Sequence, residues 1–170
     1  DKNRIYDVNK KFFSILFLKV KALKREVRKW DQPIISDFRK SINCIITCNI
    51  KNTPHYLLKI SIEPGLKTPR FTTTICERNI VENKKKRLSF MKLVTKKNTK
   101  LDIIYSDEGG RFYKNETRNI VSLISNYEIS FSNIQYVWVS HNQMIELIKK
   151  NLVSIEARNL FGSYNIDKIK

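Results

Sequence analysis

Asn43 to Glu63 reads NCIITCNI, then KNTP, then HYLLKISIE, and this patterning decides the fold. Asn43–Ile50 is rich in Ile, Cys and Thr, which suit a largely buried strand. Lys51-Asn52-Thr53-Pro54 supplies turn chemistry. His55–Glu63 then alternates, with Tyr56, Leu58, Ile60 and Ile62 on one face. Glu63-Pro64-Gly65 closes the strand with breakers. The middle of the chain is therefore a β-hairpin.

Working outward, Phe71–Ile75 reads as a further short β segment. The basic run Lys84-Lys85-Lys86-Arg87 reads as a solvated loop, followed by a short helix around Ser89–Val94. Leu101–Ser106 and Asn119–Ser125 read as strands. Ser140 and Gln143 form a capping box, opening a helix that buries Met144, Leu147 and Ile148. A second short helix is predicted over Ser154–Phe161, stopped by Gly162. At the other end, Phe12, Phe13, Leu16, Val20, Leu23, Val27 and Trp30 recur at helical spacing behind Asn9 as N-cap. That predicts a long N-terminal helix over 1–32, ended by Asp31-Gln32-Pro33. Its apolar stripe suits core packing, a second copy or lobe, or a membrane surface. The order predicts one α+β domain over 1–170, with a mixed sheet and C-terminal helices over 41–164.

Composition sets the outer bounds. Hydrophobic residues are 41% and charged residues 29%, a globular balance. Lys and Arg number 33 against 16 Asp and Glu, a net charge of +17. Such a surface attracts nucleic acid, anionic membrane or phosphorylated small molecules. The Lys-, Asn- and Ile-rich bias equally fits compositional drift. Cys44, Cys48 and Cys76 make an odd count, so reduced thiols and a cytoplasmic location are expected. No His cluster accompanies the cysteines, which argues against zinc. His55 and His141 stand far apart and read as surface or packing residues. No apolar stretch has membrane-spanning length, and no signal peptide is visible. The first residue is Asp1, so the chain reads as a fragment or one that has lost its start. There is no Walker loop, no G-x-G-x-x-G and no Nudix box, so no dinucleotide cofactor or clustered metal carboxylates are expected.

The segment with most chemistry is Asp107-Glu108-Gly109-Gly110-Arg111-Phe112-Tyr113. A Gly pair after a strand permits close backbone approach to a ligand. It equally makes an ordinary hairpin turn with solvated charges. Residue chemistry alone reaches a basic α+β domain with a candidate anion site.

Four segments together resemble the NDP-hexose 2,3-dehydratase family. They are Trp30-Asp31-Gln32-Pro33; Glu63-Pro64-Gly65 with Thr68-Pro69; Glu108 to Tyr113 with Arg118; and Trp138 with Gln143, then Glu156-Ala157-Arg158. The resemblance covers Lys10 to Tyr164, and Phe71–Val94 looks more like the second half of the two-lobed enzymes. It implies a Nudix-like lobe acting on an NDP-4-keto-6-deoxyhexose, usually the dTDP form, to give a 3,4-diketo-2,6-dideoxy sugar without cofactor or metal. Glu108, Arg111 and Tyr113 match positions suited to catalysis. Arg118 and Arg158 suit a diphosphate clamp, and Trp30 and Trp138 suit base stacking, with Gln32 and Glu63 as further substrate contacts. The bland alternatives are a Glu108–Arg111 ion pair and core tryptophans. The sequence departs from the family after Pro69, where it reads Arg70-Phe71-Thr72-Thr73-Thr74-Ile75, and at Thr117 and Asn119. One lobe stands where the family uses two, which implies a homodimer, a second Nudix-like lobe, or a binding lobe without turnover. A nucleic-acid module is disfavoured, because Tyr105, Phe112, Tyr113 and Tyr136 are not evidently interleaved with the basic residues.

Overall fold

The computed structural model describes residues 4–6, 8–9, 13–37, 41–62, 65–78, 90–106, 111–125 and 135–166. The Lys84–Arg87 run, Ser89, Glu63 and Glu108 lie outside the described residues. Two compact units emerge, one of Asp1–Lys40 and Tyr105–Thr117, the other of Ser41–Ile104 and Arg118–Lys170.

The larger unit is built on the predicted hairpin. Strands β4 (Ser41–Ile50) and β5 (Thr53–Ser61) pair antiparallel, with Ile50 opposite Thr53. The turn is thus only Lys51-Asn52, and both residues have positive φ, 48° and 61°. Two left-handed residues give the twist that a two-residue hairpin needs, and Asn tolerates that conformation well. Pro54 falls inside β5 rather than in the turn. Around this pair the sheet runs β10 (Tyr136–Ser140), β5, β4, β9 (Glu116–Ile124), β8 (Thr99–Ser106). The short strands β6 (Arg70–Thr72) and β7 (Ile75–Arg78) pair with β5 and β4.

Both faces of the sheet are covered at its centre. Ile45, Tyr56, Leu58, Val121 and Val139 pack on one side with Met144, Ala157 and Leu160 of the helices. Ile42, Cys44, Ile46, Leu57 and Ile120 pack on the other, beneath Phe90, Met91, Leu93 and Val94. The alternating face predicted for β5 therefore holds only in part: Leu57 is as buried as its neighbours, while Ile60 and Ile62 are 37% and 67% exposed.

Helix α1 (His141–Lys149) carries the predicted capping box: Gln143 N donates to Ser140 Oγ, and Ser140 N donates to Gln143 Oε1. Met144 is buried, with Leu147 and Ile148 beside it. Helix α2 is Ile155–Ile166, so it does not stop at Gly162. Phe161 and Tyr164 on either side pack against the core, and Asn165 Nδ2 donates to the Phe161 carbonyl. Those contacts offset the roughly 1 kcal/mol that a helical glycine costs.

The predicted N-terminal helix is not there. After β1 (Arg4–Tyr6) and a turn holding Asn9 come β2 (Phe13–Lys21) and β3 (Lys29–Asp37), an antiparallel pair with Leu16 opposite Ile34. Ser14, Leu16, Leu18 and Val20 share one face at strand spacing, and Ser14 and Leu16 are buried. The helical stripe mixed both faces of this ribbon with two loop positions, for Leu23 and Val27 are 86% and 61% exposed. A dense apolar run satisfies both periods, and Phe, Ile and Val tip it to strand. Pro33 is accommodated because β3 is an edge strand. The substitutions Leu23→Asp and Val27→Asp together should shift unfolding by less than about 1 kcal/mol in urea, whereas a helix buried along that stripe would lose several times more.

Candidate functional site

Two of the segments that carry the candidate residues lie side by side in the smaller unit. Ile35 N donates to the Arg111 carbonyl at 2.9 Å, and Tyr113 N donates to the Ile35 carbonyl at 2.7 Å. The chain around Phe112 thus runs parallel beside β3. On β3, Trp30 and Gln32 point to one face two residues apart, and Trp30 Nε1 donates to Gln32 Oε1 at 3.2 Å. Arg111 is exposed, Tyr113 half-buried, and the Lys114 ammonium sits 5.5 Å from the Tyr113 ring centre.

In the larger unit the strongest polar feature is on β8 and β9. Arg118 Nε donates to Asp102 Oδ1 at 2.8 Å and Nη2 to Oδ2 at 2.6 Å, a two-pronged pair. The guanidinium holds the Asp102 carboxyl below its ordinary range, mainly through those hydrogen bonds, and is itself raised. Cys44 is fully buried; burial pushes its thiol up to about 12, against a smaller opposing pull from Arg118. Burial likewise raises Cys48, so neither thiol is a ready nucleophile. Among the described residues no group of His, Cys, Asp or Glu is placed to hold a metal ion.

The remaining candidates are separated from this pair by role. Trp138, on β10 opposite Leu57, packs half-buried against the core. Arg158 lies half-buried on α2, where Ala157 beside it is fully buried. Ser154 caps that helix through Ala157 N, and its hydroxyl meets Thr72 Oγ1 at 3.1 Å. The Thr72-Thr73-Thr74 departure is structural: Thr74 Oγ1 donates to the Leu57 carbonyl and accepts from Ile46 N, and Thr73 Oγ1 donates to the Ile75 carbonyl. Asn119, another departure, is buried and accepts from Asn43 Nδ2 at 3.3 Å. His141 packs on Phe161 and meets Tyr56 Oη at 3.1 Å, as a packing residue would. Asp102 escaped sequence reasoning, since nothing in its flanks announces a partner sixteen residues on.

The fold and these arginine-bearing strands define a strongly cationic α+β protein. The family model for NDP-hexose 2,3-dehydratase matches residues 1–163, and the chain belongs to that family. A dTDP-4-dehydro-6-deoxy-alpha-D-glucopyranose 2,3-dehydratase of Streptomyces violaceoruber is 25% identical over 168 residues, covering 95% of this chain and 38% of that protein. Enzymes of the same name from Amycolatopsis orientalis and Saccharopolyspora spinosa are 25% and 24% identical, covering 91% and 90% of this chain. The chain spans only 34% and 33% of those two, roughly a third of the relatives' length. A chain of the complex between the C-terminal domain of mouse MUTYH and human PCNA shares the fold at TM-score 0.52 and 11% identity, covering 78% of this chain and 90% of that one.

The Asp102–Arg118 pair makes a pH-dependent contribution whose sign is determined. Asp102 has a depressed folded pKa, so its stabilisation is present above the unfolded value near pH 4 and is lost as pH falls through the folded one. With side chains 50% and 38% exposed, solvent screening limits the pair. The Asp102→Asn protein should be less stable at pH 7 by up to about 1 kcal/mol and converge with the parent in acid. Urea unfolding from pH 7 into the acid range measures this; a gap that stays constant would mean packing, not charge.

Proposed function

We propose that this chain is a Nudix-like lobe of a cytoplasmic sugar-nucleotide lyase that removes the C2 hydroxyl of dTDP-4-keto-6-deoxyglucose. The observation that carries the reading is the family match across residues 1–163, together with relatives named for that reaction. The chemistry is self-contained. The C4 ketone acidifies the C3 proton; a base removes it, and the electron pair forms an enolate. That enolate collapses to a C2–C3 double bond as the C2 hydroxyl leaves, protonated to water. The C3 enol then tautomerises to the 3,4-diketone. Such a path needs a base, a proton donor and fixed positive charge near the enolate oxygen.

In this reading Glu108 is the base, Tyr113 the proton donor and Arg111 the enolate's cation. Arg118 and Arg158 grip the diphosphate, with Trp30 or Trp138 stacking on the base and Gln32 and Glu63 as further contacts. The Asp102 pair uses two of Arg118's five N–H donors and so orients the rest. The match spans about a third of those relatives, and turnover by this reading uses a second lobe beside this one. The alternative within the same family is a lobe that binds the sugar nucleotide without turning it over.

Purified chain incubated with dTDP-4-keto-6-deoxyglucose and a trapping 3-ketoreductase should give 2-deoxysugar. Saturable dTDP binding without product would select the binding-only lobe, and no binding at all would sink both. Two variants test the roles. Arg158→Ala should weaken dTDP binding by about tenfold, the loss of one charge-assisted bond. Tyr113→Phe should cut turnover by about a hundredfold while leaving the dTDP Kd unchanged; full activity would remove Tyr113 from the proton path.

A further inference from the structure

A cavity of about 640 Å³ lies at the end of β9 far along the strand from Arg118. Lys92, Lys97 and Lys100 line it over an apolar floor of Leu93, Leu123 and Ile124. Among the described residues, no acidic or aromatic side chain contributes to its wall. The three lysines are exposed, and none makes an ion pair with a described residue. Uncompensated ammonium groups around one concavity repel one another, and an anion relieves that cost.

The turn that carries them is braced. Asn98 Oδ1 accepts from Thr95 N at 2.7 Å and from Ser122 Oγ at 3.0 Å. Asn98 Nδ2 donates to the Leu93 carbonyl at 2.5 Å, and the Asn98 carbonyl accepts from Leu123 N at 2.8 Å. One side chain thus ties the segments bearing Lys92, Lys97 and Lys100 to β9 before any ligand arrives. Preorganisation of this kind lowers the ordering cost of binding. A second cavity of about 380 Å³ shares Lys100 and Leu123 and adds Thr47, Asn49 and Tyr164.

We propose that this lysine-lined cavity binds a compact diphosphate-bearing small molecule, as a site separate from Arg118 and Arg158. The volume is that of a small-ligand pocket. A single-stranded nucleic acid is the poorer fit, since that recognition uses aromatic stacking platforms, and none of the described residues lining this wall is aromatic. The floor of leucine and isoleucine suits an apolar or ring portion beside the phosphates, with the adjoining hydroxyl and amide groups beyond it.

The test is a titration of the full chain with inorganic pyrophosphate, followed by backbone amide NMR and calorimetry. Saturable shifts should centre on Leu93, Asn98, Leu123 and Ser125. Replacing Lys92, Lys97 and Lys100 together by Ala should raise the pyrophosphate Kd at least about tenfold, as should Asn98→Ala by loosening the brace. Lys19→Ala with Lys21→Ala, on β2, should leave it unchanged. Equal losses in the Lys19/Lys21 control would reduce the effect to net charge and overturn the site. Shifts confined to Arg118 and Arg158 would assign pyrophosphate to the proposed substrate clamp and likewise overturn it. Tighter binding of a single-stranded oligonucleotide than of pyrophosphate at the same residues would replace the small-molecule ligand with nucleic acid. Because dTDP turnover is not the readout, this test stands or falls apart from the lyase reading.

Discussion

The pairing of β4 with β5 is the constraint on which the rest of the larger unit depends. Ile46 lies opposite Leu57 and Thr47 opposite Tyr56, so the register sends successive side chains into two separate cores. A slip of one residue would exchange those cores and expose Tyr56 to the wrong layer. The two-residue turn at Lys51-Asn52 prevents the slip, because only one register fits it. Both strands then receive their other neighbours on a fixed template: β9 and β7 on β4, β10 and β6 on β5.

Buried hydroxyls and amides reinforce that register. Thr74 sits where β7 diverges from β4 and takes up the Ile46 N–H and the Leu57 carbonyl. Left unpaired, each group would cost on the order of 1–3 kcal/mol. Asn43 and Asn119 do the same across β4 and β9. Thr72, Thr73, Thr74 and Asn119, which depart from the family pattern, are therefore explained by hydrogen bonds around the sheet. A position can lose its family identity while its new side chain is fully satisfied.

How much was legible follows the same logic. The central hairpin, the strands around 101–106 and 119–125, and the Ser140–Gln143 cap could be read because turn residues, alternation and capping are local signals. The ribbon of β2 and β3 could not, because its apolar density satisfies a helical and a strand period at once. Gly162 failed as a stop because packing by Phe161 and Tyr164 outweighs a weak local preference. Of the candidate site, the W-x-Q-P strand and the Arg111–Tyr113 stretch were legible only as separate motifs; backbone bonds through Ile35 join them. Asp102 was invisible, since its meaning is a partner on the next strand.

That partner relation bears on how β8 and β9 are registered. Asp102 and Arg118 lie on neighbouring strands, and the chain between them includes the 107–113 stretch. A two-pronged ion pair therefore ties β8 to β9 at Asp102 and Arg118. Cross-strand charge pairs contribute modestly to stability, yet they favour one register over its neighbours. In the proposed reading Arg118 keeps donors for an anion while the Asp102 pair fixes its orientation. Asp102→Asn removes that pairing while keeping the guanidinium.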